Sequence, residues 1–196
     1  MNLKTPFKKA AIALTAAGVI GAGSAVGLYS TVMPVPQAHA ASVSQSESQQ
    51  ALITLNSFYK PALNGHFPGV VSSFTVGKTT KEEVIKAIGK APMPAKDADG
   101  FDVYGADMGT PGYAFNYKLD KIREIRYFGT NVERQTNIGG ITIAMVKKNW
   151  FAPNSVTSIK TGKLTQTKLT YIRGAYKIEF IFNSSTELDH INLLKK

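Results

Sequence analysis

Apolar residues recur along this chain in two rhythms, and the order of the rhythms predicts a fold. Leu52, Leu55, Phe58 or Tyr59 and then Leu63 stand at helical spacing, predicting a helix from about Glu47 to Lys60 that Pro61 interrupts or ends. "NGHFPG", residues 64–69, is a loop punctuated by Gly65, Pro68 and Gly69. Val84, Ile85 and Ile88 form a second helical face, and Gly89 with Pro92 beyond it confines that helix to Lys81–Ile88. The period then falls to two. Phe101–Tyr104 is a short strand, Tyr113, Phe115 and Tyr117 alternate with Ala114, Asn116 and Lys118, and after a turn at Asp120-Lys121 the residues Ile125 and Tyr127 share a face.

The same order returns further on. Ile143, Val146 and Trp150 make a helical stripe, Pro153 follows, and strands are predicted over Thr165–Arg173, Tyr176–Phe182 and His190–Leu194. A displacement of 62 lays Gly77 on Gly139, Thr80 on Thr142, Val84 on Val146 and Ile88 on Trp150. The predicted class is α+β: two tandem helix-then-three-strand units forming one antiparallel sheet with helices packed on one face. The first unit runs over about 49–130 and the second over about 131–196, within a single domain at 49–196.

The chain before that domain reads as an export leader. Lys4, Lys8 and Lys9 precede the uncharged run Ala10–Tyr29, and Ala38-His39-Ala40 offers a small-x-small cleavage pattern. Residues 1–40 are therefore expected to be a signal peptide cut after Ala40, with Ala38 and Ala40 as the recognised residues and 41–48 a polar linker. A retained N-terminal membrane anchor is the alternative, and otherwise no stable membrane span is expected. There is no Cys, so neither a lipid-anchoring cysteine nor a disulfide is available. Losing the leader removes three lysines and no acid, turning a formal +10 into +7. A basic exported protein attracts polyanions. An anionic wall polymer or an extracellular protein is the expected partner, not nucleic acid.

Candidate chemistries are few. "VGKTTKEEVIKAIGKAP" ends its opening like a phosphate-binding loop, but that loop needs a glycine five residues before Gly77, where Ser72 stands. Thr80 and Glu83 instead have the spacing of a capping box. Ser57-Phe58-Tyr59-Lys60 and Lys160-Thr161-Gly162 match two signatures of penicillin-recognising enzymes, with no Ser-Asp-Asn between them. "DADGFD" has Asp97, Asp99 and Asp102 close together but misplaces the glycine and lacks the final Glu of a calcium loop. Only His66 and His190 follow the leader, so no metal site, cofactor or catalytic residue is expected. The aromatic residues of the strands are mostly core, but exposed Tyr with Arg favours recognition. Tyr113, Tyr117, Arg123, Arg126, Tyr127, Tyr171 and Arg173 are the candidate partner surface.

"FTVGKTTKEEVIKAIGKAP" resembles the helix that opens each repeat of the β-lactamase-inhibitor-protein-like fold, also found in small SmpA/OmlA-type outer-membrane lipoproteins. "LNSFYKPALNGHFPG", that motif and "GYAFNYKLDKIREIRYFG" together look like the YjgB-like family of secreted proteins, a family of unknown function; the resemblance covers about residues 50–194. It implies a non-enzymatic exported protein that binds a macromolecule through its sheet face. Inhibition of a secreted protease or of a penicillin-recognising enzyme is the alternative it implies, with a wall-active hydrolase further behind. The second helix departs from the motif: Ala144 and Met145 replace Glu82 and Glu83, and Phe151 replaces the terminating Gly89.

Overall fold

The computed structural model describes residues 37–107, 109–130 and 138–196. Residues 1–36, with most of the predicted leader, and 131–137, where the second unit was expected to begin, lie outside the described residues. Helix α1 (Gln37–Ser57) leads into the short α2 (Tyr59–Leu63), a 3-10 turn at Gly69–Val71, and α3 (Lys81–Ile88). Strands β1 (Asp102–Tyr104), β2 (Gly112–Lys118) and β3 (Lys121–Gly129) follow. Helix α4 (Ile143–Trp150) then precedes β4 (Ser155–Thr161), β5 (Leu164–Arg173), β6 (Tyr176–Ser184) and β7 (Glu187–Lys195).

All seven strands form one antiparallel sheet in the order β1-β2-β3-β7-β6-β5-β4. Each group of strands is a meander of neighbours, and the last strands of the two groups, β3 and β7, zip them together with Ile125 opposite Leu193 and Tyr127 opposite Ile191. The helices cover one face. Leu55, Phe58, Val84, Val146 and Trp150 pack there with Phe115, Ile125, Tyr171, Ile178, Phe180 and Leu193 in one buried cluster. Each such side chain contributes roughly 1.5–3 kcal/mol by leaving water. Trp150 is the hub of the second half, meeting Tyr59, Tyr171 and Phe180 edge-on at 5.1, 5.7 and 5.1 Å. Its indole N–H donates to Asn56 Oδ1 at 3.3 Å, so its polar edge is satisfied.

The opening motif is the entry to α3. Thr80 Oγ1 accepts the Glu83 N–H at 3.2 Å and Glu83 Oε2 accepts the Thr80 N–H at 2.7 Å, completing the capping box. The glycine amide that a phosphate would need is spent elsewhere, donating to the Ile122 carbonyl at 2.7 Å. Thr142 caps α4 through the Met145 N–H at 3.1 Å, with no carboxylate to reciprocate.

Three elements differ from the sequence expectation. Helix α1 begins at Gln37, so the predicted linker 41–48 is helical, and Ala38 and Ala40 stand in its first turn. That stretch holds Ala, Ser and Gln without Pro or Gly, which lets a helix run on with no apolar stripe to reveal it. Pro61 does not end a helix; it is the third residue of α2, where its missing N–H has no helical acceptor to lose. The second unit has four strands, not three. Strand β4 was missed because it is an edge strand exposed at Ser155–Ser158, without the buried-and-exposed alternation that marks its neighbours.

Candidate functional site

The seven residues proposed as a Tyr/Arg surface do not share one. Tyr113, Tyr127 and Tyr171 are core residues, 3%, 5% and 1% exposed, on the helix-covered face. Tyr113 donates to the Pro68 carbonyl at 3.2 Å, and burial pushes its phenol up to about 12. Tyr127 packs edge-on to Phe58 at 4.9 Å, while Tyr171 donates to the Phe151 carbonyl at 3.0 Å. Tyr117 is half-buried beneath Lys81, whose ammonium lies 5.2 Å from its ring, and burial raises its phenol further. Arg173 stacks over Tyr59, Trp150 and Tyr171 at 4.7, 4.9 and 5.1 Å, on that same face. Desolvation beside those rings lowers its guanidinium from the usual value. Alternation revealed that these tyrosines point one way; the helices decide that this way is inward.

Only Arg123 and Arg126 reach the open face. Arg123 does so through a bulge: Asn116 opposes Glu124 and Tyr117 opposes Ile122, leaving Arg123 as the extra residue. It lies 3.5 Å from Asp99. The Arg126 guanidinium lies 3.9 Å from the centre of the Phe101 ring, and its Nε donates to Glu124 Oε1 at 2.7 Å. The loop carrying Phe101 is pinned over the sheet by Asn116, whose Nδ2 donates to the Gly100 carbonyl at 2.7 Å.

Between that loop and the β4–β5 edge the open face forms a trough of about 450 Å³. The pairing of β6 with β7 is irregular beside it, with register shifts at Ile181, Phe182 and Ser184. Its floor holds a row of neighbours in register, Arg126, Asn192 and Glu179, which Thr170 continues beyond the trough. Five polar residues on this face, Glu124, Gln166, Thr170, Glu179 and Asn192, are at least nine-tenths buried at 7%, 5%, 9%, 5% and 6% exposure. Glu179 Oε1 receives Lys177 at 3.2 Å and Lys168 at 3.6 Å. His190 Nδ1 meets Asp189 Oδ2, and Gln166 Nε2 donates to Asn183 Oδ1 at 2.7 Å. Asn192 Oδ1, in the middle, is buried with no hydrogen-bond partner among the described residues. Leaving such a group unmet costs about 1–3 kcal/mol.

Glu124 also lines a second, wider cleft of about 700 Å³, at the hairpin end of β2 and β3. Lys118, Lys121, Arg123, Lys177 and Lys195 surround it. The aspartates of "DADGFD" have other partners: Asp102 accepts from Lys81 and from the Ala95 N–H, both at 2.8 Å, and Asp97 Oδ1 accepts the Asp99 N–H at 3.0 Å. Among the described residues no group of His, Asp and Glu could hold a metal ion, and no helix is long and apolar enough to cross a membrane.

Apart from Arg126, sequence reasoning missed the trough. The signal was present in β6, where the polar Lys177 and Glu179 alternate with the buried, apolar Ile178 and Phe180. Its meaning needs the strand register, which sets Glu179 beside Asn192 and Asn192 beside Arg126.

The fold and site define an α+β protein whose antiparallel sheet is covered by helices on one face and hollowed on the other. The chain belongs to the DUF4309 family, a domain of unknown function, whose family model matches residues 55–194. It is 33% identical to the uncharacterised protein YjgB of Bacillus subtilis (strain 168) over 194 residues, covering 97% of this chain and all of that one. The crystal structure of that DUF4309 protein from Bacillus subtilis superposes with a TM-score of 0.69 at 36% identity, over 76% of this chain and 99% of that one. A more remote likeness, to a cysteine-rich secretory protein of Staphylococcus aureus, has a TM-score of 0.44 at 18% identity over 67% of this chain and 48% of that one.

Proposed function

We propose that this is an exported, non-enzymatic protein that binds a macromolecule of the envelope or surroundings in the trough on its open sheet face. The observation that carries the reading is the buried, polar floor, with Asn192 Oδ1 left without a partner. Water would solvate such side chains on a flat face; here they lie in a recess among neighbouring side chains, as in a surface shaped for a ligand. Each carboxylate of the trough faces a cation or an imidazole: Glu124 with Arg126, Glu179 with Lys168 and Lys177, Asp189 with His190. Such pairs favour orienting a partner over moving protons. Export is supported by Lys4, Lys8 and Lys9 before the uncharged run and by Ala38-His39-Ala40.

The test is capture. The chain is expressed with its own leader, recovered from culture fluid and envelope, and used to retain material from both fractions. Asn192→Trp fills the trough and Lys168→Ala trims its wall, each checked for an unchanged unfolding midpoint. Retention by the parent protein and loss of the same material by both variants is the expected result. Equal retention by all three overturns the trough as the site.

A further inference from the structure

We propose that the basic cleft beside the trough seats a linear phosphodiester polymer that carries no bases, such as a poly(glycerol phosphate). The proposal rests on the reading of an exported protein that binds with its open sheet face, but not on the trough as the seat of binding.

The cleft gathers Lys118, Lys121, Arg123, Lys177 and Lys195 around an apolar floor that includes Leu194. The one acidic residue lining it, Glu124, is engaged by Arg126 at 2.7 Å. Arg123 and Lys177 have acidic neighbours, Asp99 at 3.5 Å and Glu179 at 3.2 Å. Among the described residues Lys118, Lys121 and Lys195 form no ion pair. Asp120, at the hairpin tip, and Glu83, whose carboxyl is lowered by hydrogen bonds from Thr80 and also by the Lys121 charge, are further acids nearby.

The hairpin is arranged against its own stability. Lys118 lies directly opposite Lys121 across β2 and β3, and like charges in that position repel. The turn between them is Leu119-Asp120, both left-handed at φ 51° and 61°, where Asn-Gly would be at ease. Leu119 is 90% exposed. Gly77, from the opening motif, also lines the cleft, at a φ of 78° that favours glycine. A chain optimised only to fold would not keep this set of choices, and an anion laid between the lysines removes their repulsion.

The shape and composition select the anion. Glu124, Leu194 and Lys177 are in register across β3, β7 and β6, so the cations extend from the hairpin over roughly 10–15 Å at about 4.8 Å per strand. Charges spread along a line suit a chain with repeated charges, not a single ion. Four ammonium groups beside one guanidinium act as point charges, a way of binding that lysine supplies to phosphate and that suits a phosphodiester carrying one charge per linkage. Among the described residues no aromatic ring lines the cleft, and single-stranded nucleic acid is held by base stacking on such rings.

Binding of a glycerol-phosphate oligomer to the exported protein is measured by calorimetry over a range of salt. Oligogalacturonate, a single-stranded oligonucleotide of equal charge and inorganic phosphate are run beside it. The expected result is preference for the glycerol-phosphate oligomer and a log-log salt slope of about −2 to −4, as several released counterions require. Replacing Lys118, Lys121 and Lys195 together by Gln should weaken binding at least tenfold and flatten the slope, without lowering the unfolding midpoint. Replacing Lys90, Lys147 and Lys148, exposed residues of the helix-covered side, makes the same charge change and should leave binding intact. Equal loss in both triple variants would mean a diffuse basic surface, and preference for oligogalacturonate, the oligonucleotide or free phosphate would name another ligand; each overturns the proposal. Purified polymer tests the cleft alone, so failure here leaves the capture result with the trough variants standing.

Discussion

Phe151 holds the C-terminal cap of α4 at φ 62° and ψ −162°, a region that is essentially reserved for glycine. The equivalent cap of α3 is Gly89, at φ 83° and ψ 178°. The strained backbone is held by its neighbours. Trp150 is buried beside it, Tyr171 donates to the Phe151 carbonyl at 3.0 Å, and Asn154 returns its N–H to Thr170 at 2.8 Å and accepts from Ile172 N–H at 2.7 Å. Such a conformation costs about 1–3 kcal/mol for a residue with a Cβ. Phe151→Ala keeps that strain and loses what contact a ring 75% exposed still makes, about 0.5 kcal/mol. Phe151→Gly loses the same contact, relieves the strain, and gives back about 0.5–1 kcal/mol through the freer unfolded chain. The glycine variant should therefore be the more stable of the two by about 0.5–2 kcal/mol, and the slope of urea unfolding should not change. On an ordinary backbone the order is reversed. An alanine variant as stable as the glycine variant, or more so, would refute the strain at this cap.

Two further outcomes follow from named contacts. Thr80→Ala should lose about 0.5–2 kcal/mol in chemical unfolding, because the Glu83 N–H loses its acceptor and the Glu83 carboxylate loses the Thr80 hydroxyl while keeping the backbone N–H. Hydrogen bonds from the Thr80 backbone and side chain lower the Glu83 carboxyl from 4.5, so its stabilisation is present above that pH and fades as pH falls through the depressed value; unfolding midpoints read across pH 2–6 should show less of this in the alanine variant, and identical profiles would count against the box. Gly65→Ala should cost more than about 2 kcal/mol, since φ is 75° and an added Cβ would sit 2.4 Å from the Tyr176 ring; a midpoint within error of the parent would show that the ring moves aside freely.

The parts of the fold that could be read from sequence were those whose pattern is local. Helix α3 was bounded at Lys81 and Ile88 because Thr80, Glu83 and Gly89 are chemical signals lying within one element. The strands of Tyr113, Phe115, Ile125 and Tyr127 were readable because their period is two over several residues. What could not be read depends on partners far along the chain. Tyr171 faces inward because Trp150 and Phe180 lie against it, and no feature within "KLTYIRG" distinguishes that outcome from an outward one. Strand β4 exists because β5 offers it an edge, pairing Val156 with Leu169 and Ile159 with Gln166, while Ser155–Ser158 stay exposed.

The trough is illegible in sequence for the same reason, and the reason bears on how it is built. Its floor row joins Arg126 of the first meander to Asn192 and Glu179 of the second, so neither meander contains the site. The row forms only when β3 pairs with β7, which is also the step that closes the core under Ile125 and Leu193. The apolar side of that seam holds the two halves together and fixes the register; the polar side inherits the register as geometry. A one-residue slip of either strand would turn Asn192 or Arg126 to the core and Leu193 or Ile125 to the trough, which burial of the leucine and isoleucine forbids. The hydrophobic face thus positions the polar one, and the buried charges of the trough need contribute nothing to stability to remain where they are.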